Sequence, residues 1–163
     1  GLHQILLYPG PFVVERPVNV GGVTQEARRV LAGESWQQGQ VILSWDDVLA
    51  GAADPEDGQN VVIHEFAHRL DQETGSANGA PWLGRRERYA RWSAVLGAAY
   101  ARLHQQLAEG AEPLVDPYGA SDPAEFFAVV SEVFFEQPAR LAAAEAALYH
   151  ELANFYRVDP RAW

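Results

Sequence analysis

The run Val61–Asp71, VVIHEFAHRLD, sets two imidazoles four residues apart around a carboxylate, at His64, Glu65 and His68, in a stretch that is otherwise mostly apolar. On a helix, residues four apart share a face with their Cβ atoms about 5–6 Å apart. Two imidazoles at that spacing can converge on one zinc ion at Zn–N distances of roughly 2.0–2.1 Å. Glu65 projects about 100° further round the helix, beside the ion, where a general base must stand to take a proton from water whose pKa zinc has lowered to about 7. The pattern H-E-x-x-H is therefore a mechanism as well as a motif. The alternative is an ordinary core helix that carries three polar residues.

Two histidines leave a third ligand to find. The longer metzincin pattern needs Gly at 71 and His at 74, and this chain has Asp71 and Thr74. His3 lies at the start of the chain, and His104 and His150 stand beside polar neighbours, where a solvated role is expected. The third ligand is then expected to be a carboxylate, as in His-His-Glu sites. The segment DPAEFFAVVSEVFFEQP is apolar nearly all round, as buried helices are. Its carboxylates past the start, Glu125, Glu132 and Glu136, recur at i, i+7 and i+11, one stripe of a helix. Buried carboxylates need partners, and a zinc ion is one. Local structure offers another reading: Asp122 as N-cap, Pro123 as first helical residue and Glu125 as the return carboxylate of a capping box. On periodicity alone, Glu125 and Glu132 are equally good ligands.

These groups must be positioned by a chain of 163 residues, the size of one domain, and residues 1–163 are expected to form a single catalytic unit. The chain opens on Gly1 with no Met anywhere, so the native N-terminal region is expected to be absent. Its formal net charge of −10 argues against a nucleic-acid partner, which requires a basic footprint. No apolar run approaches the length of about 20 residues that spans a bilayer. Without cysteine, thiolate metal sites and disulfides are excluded.

Short apolar runs at 4–8 and 11–15, separated by Pro9 and Gly10, predict strands. ARRVLAGESW and GQVILSW, with Gln37 to Gly39 between them, predict a hairpin ending near Trp45. Residues 53–60 form a polar connector. Helical periodicity then predicts helices over about 59–73, ended by Gly75 in a left-handed conformation, and 83–108, closed by Gly110. Two more are expected over 123–137 and 139–154. Strands first and helices after predict an α+β fold.

HEFAHRLD, followed some fifty residues later by YGASDPAEFFAVVSEVFFEQP, resembles the Mlc titration factor A family of zinc metallopeptidases, and YPGPFVVE and VILSWDDVLAG resemble it too. Full members of that family carry an additional N-terminal helical region. The family is in turn similar to the catalytic domain of anthrax lethal factor, where a Tyr stands seven residues before the ligand Glu. The resemblance implies a zincin-like, gluzincin-type domain with a small N-terminal β-sheet and a helical half. In it one zinc ion would be held by His64, His68 and Glu125, with Glu65 as general base. It breaks the tie for Glu125, because Tyr118 precedes it by seven residues and would donate a hydrogen bond to the oxyanion. Tyr118 otherwise reads as a loop aromatic packed on the core. Glu132 becomes a candidate for orienting a ligand from behind or a purely structural residue. Asp71 is expected either to orient a ligand imidazole or to lie solvated near its helix end.

The expected function is zinc-dependent peptide hydrolysis in the cytoplasm, with aminopeptidase action implied by the resemblance. GQVILSW is expected to be either an edge strand that a peptide can extend or a plain interior strand. The competing expectation is a module that binds a transcriptional repressor, with catalysis secondary or absent. A helical core with no metal would leave two His and several Glu without common purpose.

Overall fold

The computed structural model describes residues 2–20, 23–31, 33–36 and 39–163, with the backbone alone described between residues 12 and 36. Among the described residues five strands come first: β1 (Gln4–Tyr8), β2 (Phe12–Val20), β3 (Val23–Leu31), β4 (Gly33–Trp36) and β5 (Gln40–Ser44). They form a three-stranded sheet of order β1-β5-β4 and a separate two-stranded sheet of β2 and β3. β5 pairs in parallel with β1, from Gln4↔Gln40 to Tyr8↔Ser44, and antiparallel with β4, from Gly33↔Leu43 to Trp36↔Gln40. The expected hairpin exists in its second half only. GESW pairs with QVILS, whereas ARRVL belongs to β3 and pairs with β2. Residues 37 and 38 of the connection lie outside the described residues.

β5 is therefore interior, and the reading of GQVILSW as an edge strand is overturned. Val41, Ile42, Leu43 and Ser44 are all buried, the run of covered positions expected of a strand enclosed on both faces. Among the described residues the edges of this sheet are β1 and β4.

The chain passes from β5 straight into helix α1 (Trp45–Ala53), an element the sequence reading lacks between the hairpin end near Trp45 and the polar connector at 53–60. Ser44 caps it, its hydroxyl accepting from the Asp47 N–H at 3.4 Å, and Asp46 and Asp47 occupy the first turn, where acidic side chains favour a helix start.

Helix α2 (Val61–Asp71) matches its expected position. Asn60 is its N-cap, its side-chain oxygen accepting from the Val62 and Ile63 N–H groups at 3.1 and 3.2 Å. A 3-10 turn (Gln72–Thr74) follows. Gly75 has φ 133° and ψ −119°, a positive-φ conformation that suits glycine but lies outside the left-handed helical region expected of it. The tighter turn intervenes and lets the chain leave extended.

Helix α3 (Arg86–Ala108) buries Trp92, Leu96, Ala99 and Leu103 as one stripe and ends before Gly110 at φ 71°. It starts later than the periodicity suggested because Leu83 turns into the core and Gly84, at φ 78°, redirects the chain. Helix α4 (Pro123–Glu136) has Asp122 as N-cap, accepting from the Ala124 and Glu125 N–H groups at 2.8 and 3.0 Å. The last expected helix is two, α5 (Pro138–Ala144) and α6 (Ala146–Tyr156), divided at Glu145 with φ −139° and ψ 60°. No Gly or Pro marks that break. Glu145 pairs there with Arg102 on α3, while Leu141 and Leu148 on either side are fully buried.

α4 packs against α2, α3, α5 and α6. Its Phe127 and Phe134 are fully buried, with Phe127 edge-on to Trp92 at 5.6 Å and to Phe155 at 5.7 Å. The architecture is α+β, with the aromatic core gathered around α4. Among the described residues no helix is long and apolar enough to cross a membrane.

Because Phe127 stands at the middle of this cluster, Phe127→Ala should lower the unfolding free energy by about 3–5 kcal/mol. Urea denaturation followed by circular dichroism measures it, and a loss below about 1 kcal/mol would show that the core does not depend on this ring.

Candidate metal centre

The polar residues of α2 and α4 meet across the line where the two helices pack. His64 and His68 present their rings edge-on, with centroids 4.7 Å apart. The two Nε2 atoms lie 3.1 Å from each other, and Glu125 Oε2 lies 3.1 Å from His64 Nε2 and 3.2 Å from His68 Nε2. This trio is a group of side chains with the geometry to hold a metal ion. Tetrahedral ligands at about 2.0–2.1 Å from one ion stand about 3.3 Å from each other, so the observed spacing fits a small N/O-bound cation without rearrangement.

Glu132, one of the two carboxylates that periodicity left equivalent, approaches from the other side. Its Oε1 accepts from His64 Nδ1 at 2.8 Å, and its Oε2 accepts from the backbone N–H of Asn60. A carboxylate accepts only, so Nδ1 carries a proton and Nε2 is the nitrogen that faces His68 and Glu125; it holds a second proton in the metal-free chain and would offer its lone pair to a cation that displaced that proton. Asn60 in turn donates from its side-chain amide to Glu136 Oε1 at 2.8 Å. The stripe on α4 thus serves α2 at three levels: Glu125 faces the Nε2 atoms of His64 and His68, Glu132 holds His64 from behind, and Glu136 holds the N-cap. Sequence reasoning missed Asn60, although an Asn directly before an apolar helical run is an N-cap signal. The capping-box use of Glu125 gives way to its contact with the histidines.

The remaining residues divide. Glu65 is buried, at 6% exposure, beside the trio. Tyr118 sits in a 3-10 turn (Pro117–Ala120) with its ring centroid 6.3 Å from that of His64, half exposed rather than packed into the core. Asp71 follows neither expectation. It is fully buried, and its Oδ2 accepts from the Asn78 and Gly79 N–H groups at 2.8 and 2.7 Å, with no hydrogen bond to an imidazole among the described residues. His104 and His150 are exposed, as expected of surface residues.

The electrostatics follow from enclosing these charges together. Burial disfavours the charged form of His64, but hydrogen bonds to Glu125 and Glu132 outweigh it and raise its pKa to about 10. Burial alone would push Glu125 up, yet hydrogen bonds from His64 and His68 hold it well below the ordinary carboxylate range. For Glu65 burial prevails, raising it to about 7 against the pull of His64 and His68. The carboxylates that favour a second proton on His64 equally favour a metal cation at the same lone pair.

The description of the family model that matches residues 1–157 is glucose-regulated metallo-peptidase M90. An uncharacterised protein of Synechocystis is 43% identical over 161 residues, 98% of this chain and 58% of that protein. Mlc titration factor A of Salmonella agona and that of Escherichia coli are each 40% identical over 164 residues, 98% of this chain and 61% of theirs. The chain therefore spans about three fifths of the length of the curated relatives it matches.

The raised pKa of Glu65 has a consequence for stability. Its value is 4.5 when exposed and about 7 when folded, so between those pH values the folded chain binds the extra proton and stability falls as pH rises. Glu65→Gln stays neutral. In the presence of a chelator it should match the unmodified chain near pH 4.5 and exceed it above pH 7 by on the order of 3 kcal/mol. Urea unfolding at pH 5 and pH 8 measures the difference, and a gap that does not widen toward pH 8 would contradict it.

Proposed function

The chain belongs to the glucose-regulated metallo-peptidase M90 family, and from that premise we propose that it is a zinc-dependent peptidase of the gluzincin type whose catalytic unit lies within residues 1–163. The observation that carries this reading is the convergence of His64 Nε2, His68 Nε2 and Glu125 Oε2 at 3.1–3.2 Å, with Glu65 buried alongside.

His64, His68 and Glu125 would hold one zinc ion. Two imidazoles and a carboxylate are a donor set that zinc accepts, and three protein ligands leave a fourth position open, as in catalytic rather than structural sites. When bound, the ion supplies Lewis acidity, polarising the scissile carbonyl and acidifying water. Glu65 takes the proton from the attacking water on its carboxylate and passes it to the nitrogen of the leaving amine. The Tyr118 hydroxyl donates to the oxyanion that develops on the carbonyl oxygen. Glu132 keeps the proton of His64 on Nδ1, so that Nε2 remains a ligand. β4, which packs against α2 and is an edge among the described residues, offers backbone groups along which an extended peptide can pair. Aminopeptidase action, a zincin-like ancestry and a cytoplasmic site of action rest on the family resemblance.

A second reading draws on the name Mlc titration factor A: a regulatory module that binds a transcriptional repressor, with catalysis secondary or absent.

Glu65→Gln should abolish hydrolysis of short peptides, a fall of at least about 100-fold in kcat, and leave zinc stoichiometry at one per chain. Retained turnover would remove Glu65 from the mechanism. Tyr118→Phe should lower kcat by about 10–1,000-fold with zinc content unchanged. If no peptide is cleaved by the zinc-loaded chain while repressor protein binds in calorimetry, the regulatory reading stands instead.

A further inference from the structure

The two helices that bear the ligands are joined a second time, away from the ion site. Asp71 lies three residues beyond His68, at the end of α2, and is fully buried although it is a carboxylate. Its Oδ2 grips the backbone N–H groups of Asn78 and Gly79, in the loop that leaves the helix. Gly79 is fixed from its other side by Trp92, whose indole N–H donates to the Gly79 carbonyl at 2.8 Å. At φ 76°, Gly79 also lies so close to the start of α4 that an added Cβ would stand 2.4 Å from the Pro123 carbonyl oxygen and 2.9 Å from its carbon. Pro123 is the first residue of α4, and Glu125 is two residues further on.

From this continuity we infer that Asp71 and Gly79 are positioning residues for the third ligand: Asp71 draws the loop in, the bare Gly79 backbone seats the first turn of α4, and that seat sets the distance from Glu125 to the two histidines of α2. The inference rests on the His64–His68–Glu125 centre of the proposed function. An ordinary structural carboxylate would stabilise the loop and leave the ligands alone. Here the contact path runs from one ligand-bearing helix to the other, and both of its ends lie within three residues of a ligand.

The test is a double-mutant cycle on zinc affinity, measured by competition with a chromogenic chelator on the 163-residue chain, with far-UV circular dichroism confirming the fold of each variant. Glu125→Ala alone should weaken zinc. Asp71→Ala should weaken it by about 10–100-fold in the unmodified chain and by less than about 3-fold in the Glu125→Ala background, because it acts through the ligand already removed. Gly79→Ala, which keeps the carboxylate and displaces the seat, should follow the same pattern, and it carries the test if Asp71→Ala does not fold. Cobalt-substituted Gly79→Ala should also show a changed visible absorption spectrum, reporting a displaced ligand. Equal losses in both backgrounds, or folded variants with unchanged affinity and spectrum, would overturn the clamp while leaving the ligands in place. Unchanged affinity in Glu125→Ala alone would overturn the ligand assignment and the clamp with it.

Discussion

Carboxylates on an apolar helix must find partners, because an unpaired buried charge costs several kcal/mol. α4 brings Glu125, Glu132 and Glu136 into a fold whose core it otherwise supplies with Phe, Val and Ala. α2 answers each of them: imidazole nitrogens for Glu125, the Nδ1–H of His64 and the Asn60 N–H for Glu132, and the Asn60 amide for Glu136. Pairing these groups fixes the axial register of the two helices. A shift by one turn, about 5.4 Å, would strand every one of them together. The same interaction that makes the interface tolerable thus fixes the constellation.

The rest of the fold keeps that interface rigid. Two rings of α4 anchor it in the core: Phe127 meets Trp92 at 5.6 Å and Phe134 meets Tyr149 at 5.1 Å, all four buried. β4 and β5 also pack against α2. Preorganisation of this kind would serve the proposed hydrolysis, since misplacement by about 1 Å can cost 100-fold in rate. Glu65 is the buried acid of this interface whose desolvation outweighs the pull of the histidines, and its raised pKa is the chemical result.

Much of this was legible in the sequence because it depends on short-range periodicity. His64, Glu65 and His68 are a local pattern on one helix, and Asp122-Pro123 announced the start of another with its acidic stripe. The choice between Glu125 and Glu132 was not local. Both lie on the same stripe, and what distinguishes them is how far along α2 each arrives, which only packing decides. Asp71 shows the opposite failure: its spacing from His68 suggested an imidazole partner, but backbone N–H groups of a loop took its oxygen instead. α1 was readable from Ser44 and the two acids after it, yet the reading passed from a strand ending near Trp45 to the polar connector with no element between them. The break at Glu145 had no local signal, because a contact with Arg102 on another helix accompanies it.

The three candidate ligands are far apart along the chain: Glu125 is 61 residues from His64 and 57 from His68. In the unfolded chain, bringing them together means closing a long loop, which is entropically opposed and slow relative to local helix formation. Two histidines on a fraying helix are a poor chelator, so a cation would discriminate strongly between folded and unfolded chains. By mass action, free ion at a hundred times its dissociation constant adds about 2.7 kcal/mol to the unfolding free energy. The wide separation of the residues that could hold it would therefore make a bound cation a folding reagent, and the lifetime of the chain would follow the metal supply around it.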